Sequence, residues 1–334
     1  YSAGDGNLNP WALQHMIRFS VFLFMLLLIS IINIELIYKY SYFIFFFTLI
    51  LLLSVELIGL GKGAERWISV FGISIQPSEL IKISLILALA KYYNQLRFDR
   101  IGQIKNIKIS ILFILLPFIL ILNQPDLGTS ITIIILGSLL LFTAGVRMWK
   151  FFAGIFLTLF SFPFLWQYVK PYQKKRILSF LNPESDPLGQ GYQLIQSKIA
   201  LGSGAFTGKG FLNGSQAYLE YLPEKQTDFI FTLIGEEFGF IGTIFIILVF
   251  IILIIISFYI SIKSNHIFGR ILSIGVGINL FISVVTNTAM ITGLMPVVGI
   301  PLPLISYGGT AMLANMISFG LLLNVEINYN KQLK

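Results

Sequence analysis

Nine apolar runs are written along this chain, near 16–37, 42–60, 78–93, 106–123, 128–146, 149–169, 228–262, 267–293 and 307–327, separated by short polar loops and by one long polar segment from about 170 to 227. A helix needs roughly 17 to 25 apolar residues to cross the hydrocarbon of a bilayer, and lipid leaves no other partner for the backbone of such a run than its own helix. The pattern predicts an all-α polytopic membrane protein with nine transmembrane helices and one large loop over 170–227. No repeat of about 20 to 50 residues and no compositional break marks off a soluble domain, so a single membrane domain over 1–334 is expected.

Composition agrees: 56% of the 334 residues are hydrophobic and 11% charged, with a mean hydropathy of +0.84. A net charge of +8 in a soluble protein would point to a polyanion, but here the basic residues first sort by side of the membrane, and no nucleic-acid partner is expected. Lys91, Arg97, Arg100, Lys105 and Lys108 follow the third run, Arg147 and Lys150 the fifth, Lys263 and Arg270 the seventh, and Lys331 and Lys334 end the chain. Those loops are read as cytoplasmic. The alternate ones, 60–77 with only Lys62 and Arg66, 124–127 and 295–306, then face outward, as does 170–227, because long loops cross regardless of charge. Starting outside with nine spans is unusual, and the opening Tyr1-Ser2-Ala3-Gly4 lacks an initiator Met, a signal peptide or a lipidation motif. The expectation is a missing first helix that would make ten. The chain has no cysteine, which excludes disulfides and thiolate metal sites, and its two histidines, His15 and His266, lie near span ends as interfacial residues rather than bases.

Candidate chemistry gathers on the outward side. Asp228 opens the long seventh run, where a carboxylate is costly unless it meets a wet cavity or a partner. Glu236 lies eight residues further on, near the same helix face, and with Glu237 forms a carboxylate pair that could bind a divalent cation without a complete ligand set. Glu79 and Lys82 share one face at the start of the third run, behind Pro77, either as a structural ion pair or as the lining of a cavity. Arg66 could clamp a pyrophosphate or snorkel beside Trp67. Asp126 looks mainly like the N-cap of the following helix. Within 170–227 sit Pro171, Pro183, Pro187 and Pro223, five glycines between 202 and 214, and an amphipathic stretch over 191–201, the features of an ordered lid or binding surface. Its Lys174, Lys175, Arg176, Lys198 and Lys209 suit an anionic substrate, or lipid headgroups. Asn279, Ser283 and Asn287 recur every four residues as a polar stripe, explained equally by interhelical bonding and by a cavity. Beyond it, prolines 296, 301 and 303 forbid a regular helix in an apolar segment, so this backbone must be buried in protein or line a cavity.

Asn287, Gly293, Pro296, Gly299, Pro301, Pro303, Ser306, Gly308 and Gly309, at their spacing, resemble the signature of the SEDS family (shape, elongation, division and sporulation). The resemblance extends over Lys62-Gly63-Ala64, Arg66-Trp67, Gln76 to Glu79, Gln124 to Ser130 and Thr227 to Phe231, essentially the whole chain. Asn182 to Gly189, Gln196 to Ala200, Gly202-Ser203-Gly204 and Gly208-Lys209-Gly210 resemble its RodA branch more than its FtsW branch. Two departures are the absent first span and Gln226, where relatives often carry His. The resemblance implies a ten-helix fold in the bacterial cytoplasmic membrane and a peptidoglycan glycosyltransferase that polymerises lipid II at the outer face during elongation and rod-shape maintenance. It implies Asp228 as the essential carboxylate, acting as general base on the acceptor hydroxyl. Arg66, Glu79, Lys82, Arg176, Lys198 and Lys209 become candidate substrate-binding residues, with a divalent cation (Mg or Mn) as a further aid to the leaving group. The implied partners are lipid II, the glycan on undecaprenyl pyrophosphate, a class B penicillin-binding transpeptidase and other membrane proteins of the elongation machinery. A lipid-precursor flippase and a non-catalytic scaffold are the alternatives. The concentration of polar groups on one side favours the enzyme.

Overall fold

The structure, a computed structural model, describes residues 1–4, 6–9, 11–58, 66–70, 73–167, 169–186, 189–215 and 225–331. Lys62, Pro187 and Pro223, named above, lie outside the described residues, as does the Lys62-Gly63-Ala64 match. Among the described residues are eleven α-helices: α1 (Trp11–Ile31), α2 (Ile34–Ile58), α3 (Pro77–Gln95), α4 (Ile104–Asn123), α5 (Leu127–Thr143), α6 (Met148–Trp166), α7 (Pro171–Leu181), α8 (Gln190–Ser203), α9 (Ile230–Lys263), α10 (Ile267–Thr292) and α11 (Gly309–Ile327). Six of them, α1, α2, α4, α9, α10 and α11, are long and apolar enough to cross a membrane by length and composition. α5 and α6 contribute shorter apolar segments, and α3 carries Glu79, Lys82 and Lys91.

The runs expected at 16–37 and 42–60 divide earlier than their hydropathy indicated, between Ile31 and Ile34. Asn33 sets the boundary, its Oδ1 accepting the Glu35 N–H at 3.1 Å as an N-cap. A short antiparallel hairpin, β1 (Ile68–Val70) and β2 (Ile73–Ile75), occupies a segment expected as plain loop, with Ser69 opposite Ser74.

Chain contacts group the residues into two compact units, one of 1–20, 164–252 and 281–308, the other of 21–163, 253–280 and 309–334. In the second, α3 is the central helix. It is buried on nearly every side, its charged and polar residues included, and packs most extensively on α2. Its polar residues find partners there: Ser84 meets Thr48 at 2.6 Å, Tyr93 meets Ser110 of α4 at 2.8 Å, and Lys91 donates to the Lys39 carbonyl at 2.7 Å. Fully buried Asn324 of α11 donates to the carbonyls of Ile29, Ser30 and Ile32 at 2.9, 3.1 and 2.6 Å, closing the C-terminus of α1. Asn324→Leu keeps the volume and strips these carbonyls, so the variant is expected to lose about 2–3 kcal/mol of stability. Thermal unfolding in detergent measures it.

In the first unit, α8 packs on α9 and on the end of α10: the Ser197 hydroxyl lies 2.9 Å from that of Thr232 and donates to the Ile291 carbonyl at 3.0 Å. The segment 293–308 between α10 and α11 has no regular helix, as its prolines require, and Val298, Ile300, Leu302 and Ser306 within it are buried.

Candidate active site

Asp228 stands two residues before α9, in a turn whose main chain is pinned at three consecutive positions. The Gln226 carbonyl accepts from the Tyr307 N–H at 2.8 Å. The Thr227 carbonyl accepts from the Ser306 hydroxyl at 2.6 Å. The Asp228 carbonyl accepts from Asn287 Nδ2 at 3.0 Å, and the same Nδ2 donates to the Ile300 carbonyl at 2.8 Å. Ser306 Oγ also accepts the Leu302 N–H at 2.8 Å, so one hydroxyl braces both strands of the contact. The proline-rich signature thus serves as a mould for the carboxylate-bearing turn. Asp228 is half-buried, and its Oδ2 lies 3.3 Å from where a Cβ on Gly299 would stand. Gly299 has a φ of +73°, a conformation that also favours glycine, and a side chain there would press against the carboxylate.

Further along, α9 breaks at Gly239, whose φ of +63° and ψ of −159° are non-helical. A break inside a membrane helix frees main-chain groups that must find new partners. The glycine-rich segment after α8 supplies them. Phe240 and Ile241 N–H donate to the carbonyls of Ala205 and Phe206 at 3.0 and 3.2 Å, while Lys209 and Gly210 N–H donate to the carbonyls of Glu236 and Glu237, both at 3.0 Å. Lys209 Nζ then reaches Glu236 Oε1 at 2.6 Å, shared with Ser215 Oγ at 3.1 Å. Glu237 accepts instead from Ser2 Oγ at 2.8 Å. The two carboxylates expected as a pair are therefore engaged separately. Among the described residues no group of three or more His, Cys, Asp or Glu comes together.

The basic residues of the long segment divide by setting. Lys175 binds Asp186 at 3.2 Å, where Asp186 also accepts from Ser179 Oγ and Gln190 N–H, joining α7 to the start of α8. Lys175 holds the Asp186 carboxyl below the ordinary carboxylate range. Lys174 lies with its ammonium 5.7 Å from the Trp166 ring, and Arg176 is half-buried on α7. Lys198 is exposed on α8, and its Cε and Nζ would stand 2.1 and 2.4 Å from a Cβ on Gly293, so the lysine stem needs the bare glycine beneath it.

In the other unit, Arg66 closes the turn before α5. It donates to the carbonyls of Gln124 and Pro125, and its Nη1 lies 4.0 Å from Asp126. Asp126 is the N-cap of α5, accepting from the Thr129 N–H at 3.3 Å and its hydroxyl at 2.9 Å, as the sequence indicated. Glu79 and Lys82 form a 2.8 Å ion pair with side chains only 10% and 7% exposed. Lys82→Met leaves a buried carboxylate and is expected to cost about 3–5 kcal/mol, whereas the Glu79→Gln, Lys82→Met double variant should regain most of that stability. A double variant that regains stability and stays inactive would mark the pair as a substrate contact. Full activity in the double variant would make it structural.

Sequence reasoning missed the cluster around Tyr307. Its ring meets Trp11 edge-on at 4.8 Å and carries the Arg18 guanidinium at 4.9 Å. His15, read as interfacial, donates from Nε2 to the Leu304 carbonyl at 3.1 Å and so helps hold the proline-rich segment. Beside it lies a cavity of about 190 Å³ lined by Tyr1, Trp11, Ile230, Ile305 and Tyr307, with Gln226 at its edge. The one signal available was a histidine and an arginine inside an otherwise apolar helix.

Residues 3–331 match the model of the FtsW/RodA/SpoVE family, described as cell cycle protein. The peptidoglycan glycosyltransferase MrdB of Escherichia coli K12 is 41% identical over 268 residues, covering 80% of this chain and 72% of the relative. A probable peptidoglycan glycosyltransferase FtsW of Trichlorobacter lovleyi is 42% identical over 269 residues, 80% and 70% of the two chains. Among solved structures, a chain described under the structural coordination of polymerization and crosslinking by a peptidoglycan synthase complex superposes with a TM-score of 0.81 at 28% identity, covering 97% of this chain and 92% of that one. The rod shape determining protein RodA of Thermus thermophilus shares the fold, with a TM-score of 0.73 at 23% identity over 99% of this chain and 92% of its own. Matched along almost its full length, with the family's proline-rich segment folded around Asp228, this chain belongs to the FtsW/RodA/SpoVE (SEDS) family.

Proposed function

We propose that this protein is a peptidoglycan glycosyltransferase of the elongation branch, polymerising lipid II at the outer face of the bacterial cytoplasmic membrane with Asp228 as general base. The observation that carries the role of Asp228 is its setting: a carboxylate at the mouth of a span, its main chain held by three consecutive hydrogen bonds and its Oδ2 set against the bare Cα of Gly299. Such a group is preorganised to take a proton from a hydroxyl brought beside it. In the proposed step the C4 hydroxyl of the GlcNAc of an incoming lipid II loses its proton to Asp228, and its oxygen attacks the anomeric carbon of the glycan carried on undecaprenyl pyrophosphate. The bond to the pyrophosphate breaks with inversion, and the lipid pyrophosphate leaves with the electron pair. Arg66, Glu79, Lys82, Arg176, Lys198 and Lys209 are the proposed substrate contacts, and the proposed role of the cations is to stabilise the leaving group. Lys209 and Lys82 already hold carboxylates, whereas Lys198 lies exposed on α8, which makes Lys198 the stronger candidate for phosphate.

The proposed topology has nine spans in one membrane domain, with 170–227 on the outer side and the basic loops in the cytoplasm, in keeping with the six long apolar helices and the shorter ones beside them. The proposed partner is a class B penicillin-binding transpeptidase, which would crosslink what this protein polymerises. Its support is the likeness to a chain of a synthase complex that coordinates the two activities. Purified protein with that partner, given fluorescent lipid II in detergent, should yield a glycan ladder. No ladder, or an undiminished one from Asp228→Ala, overturns the reading.

A further inference from the structure

Asn287 is completely buried, and both contacts of its Nδ2 are main-chain carbonyls on other segments, Asp228 and Ile300. Its Oδ1 is buried with no hydrogen-bond partner among the described residues. An asparagine kept only to fill space here would be better replaced by leucine, because a buried amide oxygen without a donor costs about 1–3 kcal/mol. What the residue provides for that cost is a double donor at the point where three segments meet: the end of α10, the turn before α9, and the proline-rich segment. We infer that Asn287 is the positioning residue of the site, fixing the Asp228 carboxylate by holding its main-chain carbonyl, on the understanding that Asp228 is the base.

The effect on the side chain follows from chain geometry. With the carbonyls of residues 226, 227 and 228 each tied, the backbone torsions on either side of the Asp228 Cα are restrained, and with them the direction in which the carboxylate leaves the chain. Ser306 and the Tyr307 N–H hold the first two carbonyls. Asn287 holds the third, the one belonging to Asp228 itself. Asn287 touches no reacting atom in this arrangement. Its contribution passes through Asp228, and loss of a positioning contact of this kind is felt in the chemical step, where a displacement of about 1 Å costs ~10²-fold.

The test uses the whole protein with its transpeptidase partner and fluorescent lipid II, comparing Asn287→Asp, which keeps the shape and loses the donors, with Asn287→Leu. Initial rates over a range of lipid II should show kcat reduced about 10²-fold with KM within about twofold of wild type in whichever variant folds. In an Asp228→Ala background the same substitution should change the residual rate less than about twofold, because its effect has no carboxylate left to act through. Variants that only melt earlier, that raise KM at unchanged kcat, or that multiply with Asp228→Ala would overturn the inference. Wild-type rates in Asp228→Ala alone would instead overturn the base assignment, an outcome read from a separate protein.

Discussion

Asp228→Asn should slow glycan polymerisation by about 10² to 10⁴-fold while the protein melts within about 1 kcal/mol of wild type. Both halves of this expectation come from the same geometry. The bonds that hold the turn are made by main-chain carbonyls of Gln226, Thr227 and Asp228, which an amide side chain does not disturb. Asparagine is the isostere of aspartate and fits beside Gly299 as the carboxylate does. What it cannot do is accept and keep a proton. Asp228→Glu probes distance rather than chemistry: an added methylene carries the carboxylate past its position, and a loss of ~10²-fold is expected. Initial rates with lipid II, beside melting curves of the same preparations, decide the matter. A melting point that falls with the rate would mean the carboxylate is a structural brace, and a rate equal to wild type would dismiss it from the chemistry.

The second large effect is structural and lies at Gly204. A Cβ there would stand 1.9 Å from the Gly235 carbonyl oxygen, a backbone atom that cannot move aside cheaply. Gly204→Val is therefore expected to lift the 204–210 segment off α9. That separation strips partners from the N–H groups of Phe240 and Ile241 and from the carbonyls of Glu236 and Glu237, and it parts Lys209 from Glu236. At about 1–3 kcal/mol for each buried group left unpaired, the loss should reach about 4 kcal/mol or more, enough to cut the yield of folded protein. Gly202, with no atom within 4 Å of an added Cβ, is the control: Gly202→Ala should behave as wild type. Size-exclusion profiles, melting in detergent and protease cleavage within 205–214 distinguish the two. Equal resistance in Gly204→Val and Gly202→Ala would show that the loop is not anchored to the helix break.

Much of this was legible in the sequence because membrane physics leaves few options. Long apolar runs could only be helices, Asp126 followed by Leu-Gly-Thr had the form of an N-cap, and prolines 296, 301 and 303 in apolar surroundings could only be buried irregular chain. Asp228 stood out because ionised groups are expensive where it sits. Less legible were events that hydropathy does not register. The division of α1 from α2 depends on one asparagine in a continuously apolar stretch, and the Gly239 break lies inside a run that reads as one helix. Asn287 was visible as a member of a polar stripe and of the signature pattern, but spacing on a helix reveals a shared face and not that a single amide would face two carbonyls distant in sequence. The Glu236–Glu237 pair misled for the converse reason: adjacency along the chain says nothing of Lys209 and Ser2, which separate their roles.

The break at Gly239 leaves the N-terminal part of α9, from Ile230 to Phe238, as a rod roughly 13 Å long with a fastening at each end. One end is clasped by Asn287, Ser306 and the Tyr307 N–H at the turn that bears Asp228, and the other by the glycine-rich loop. A rod fastened at two points carries a displacement of one end to the other, so the glycine-rich loop and the turn that bears Asp228 are mechanically one piece, with left-handed glycines at 208 and 239 beside the break.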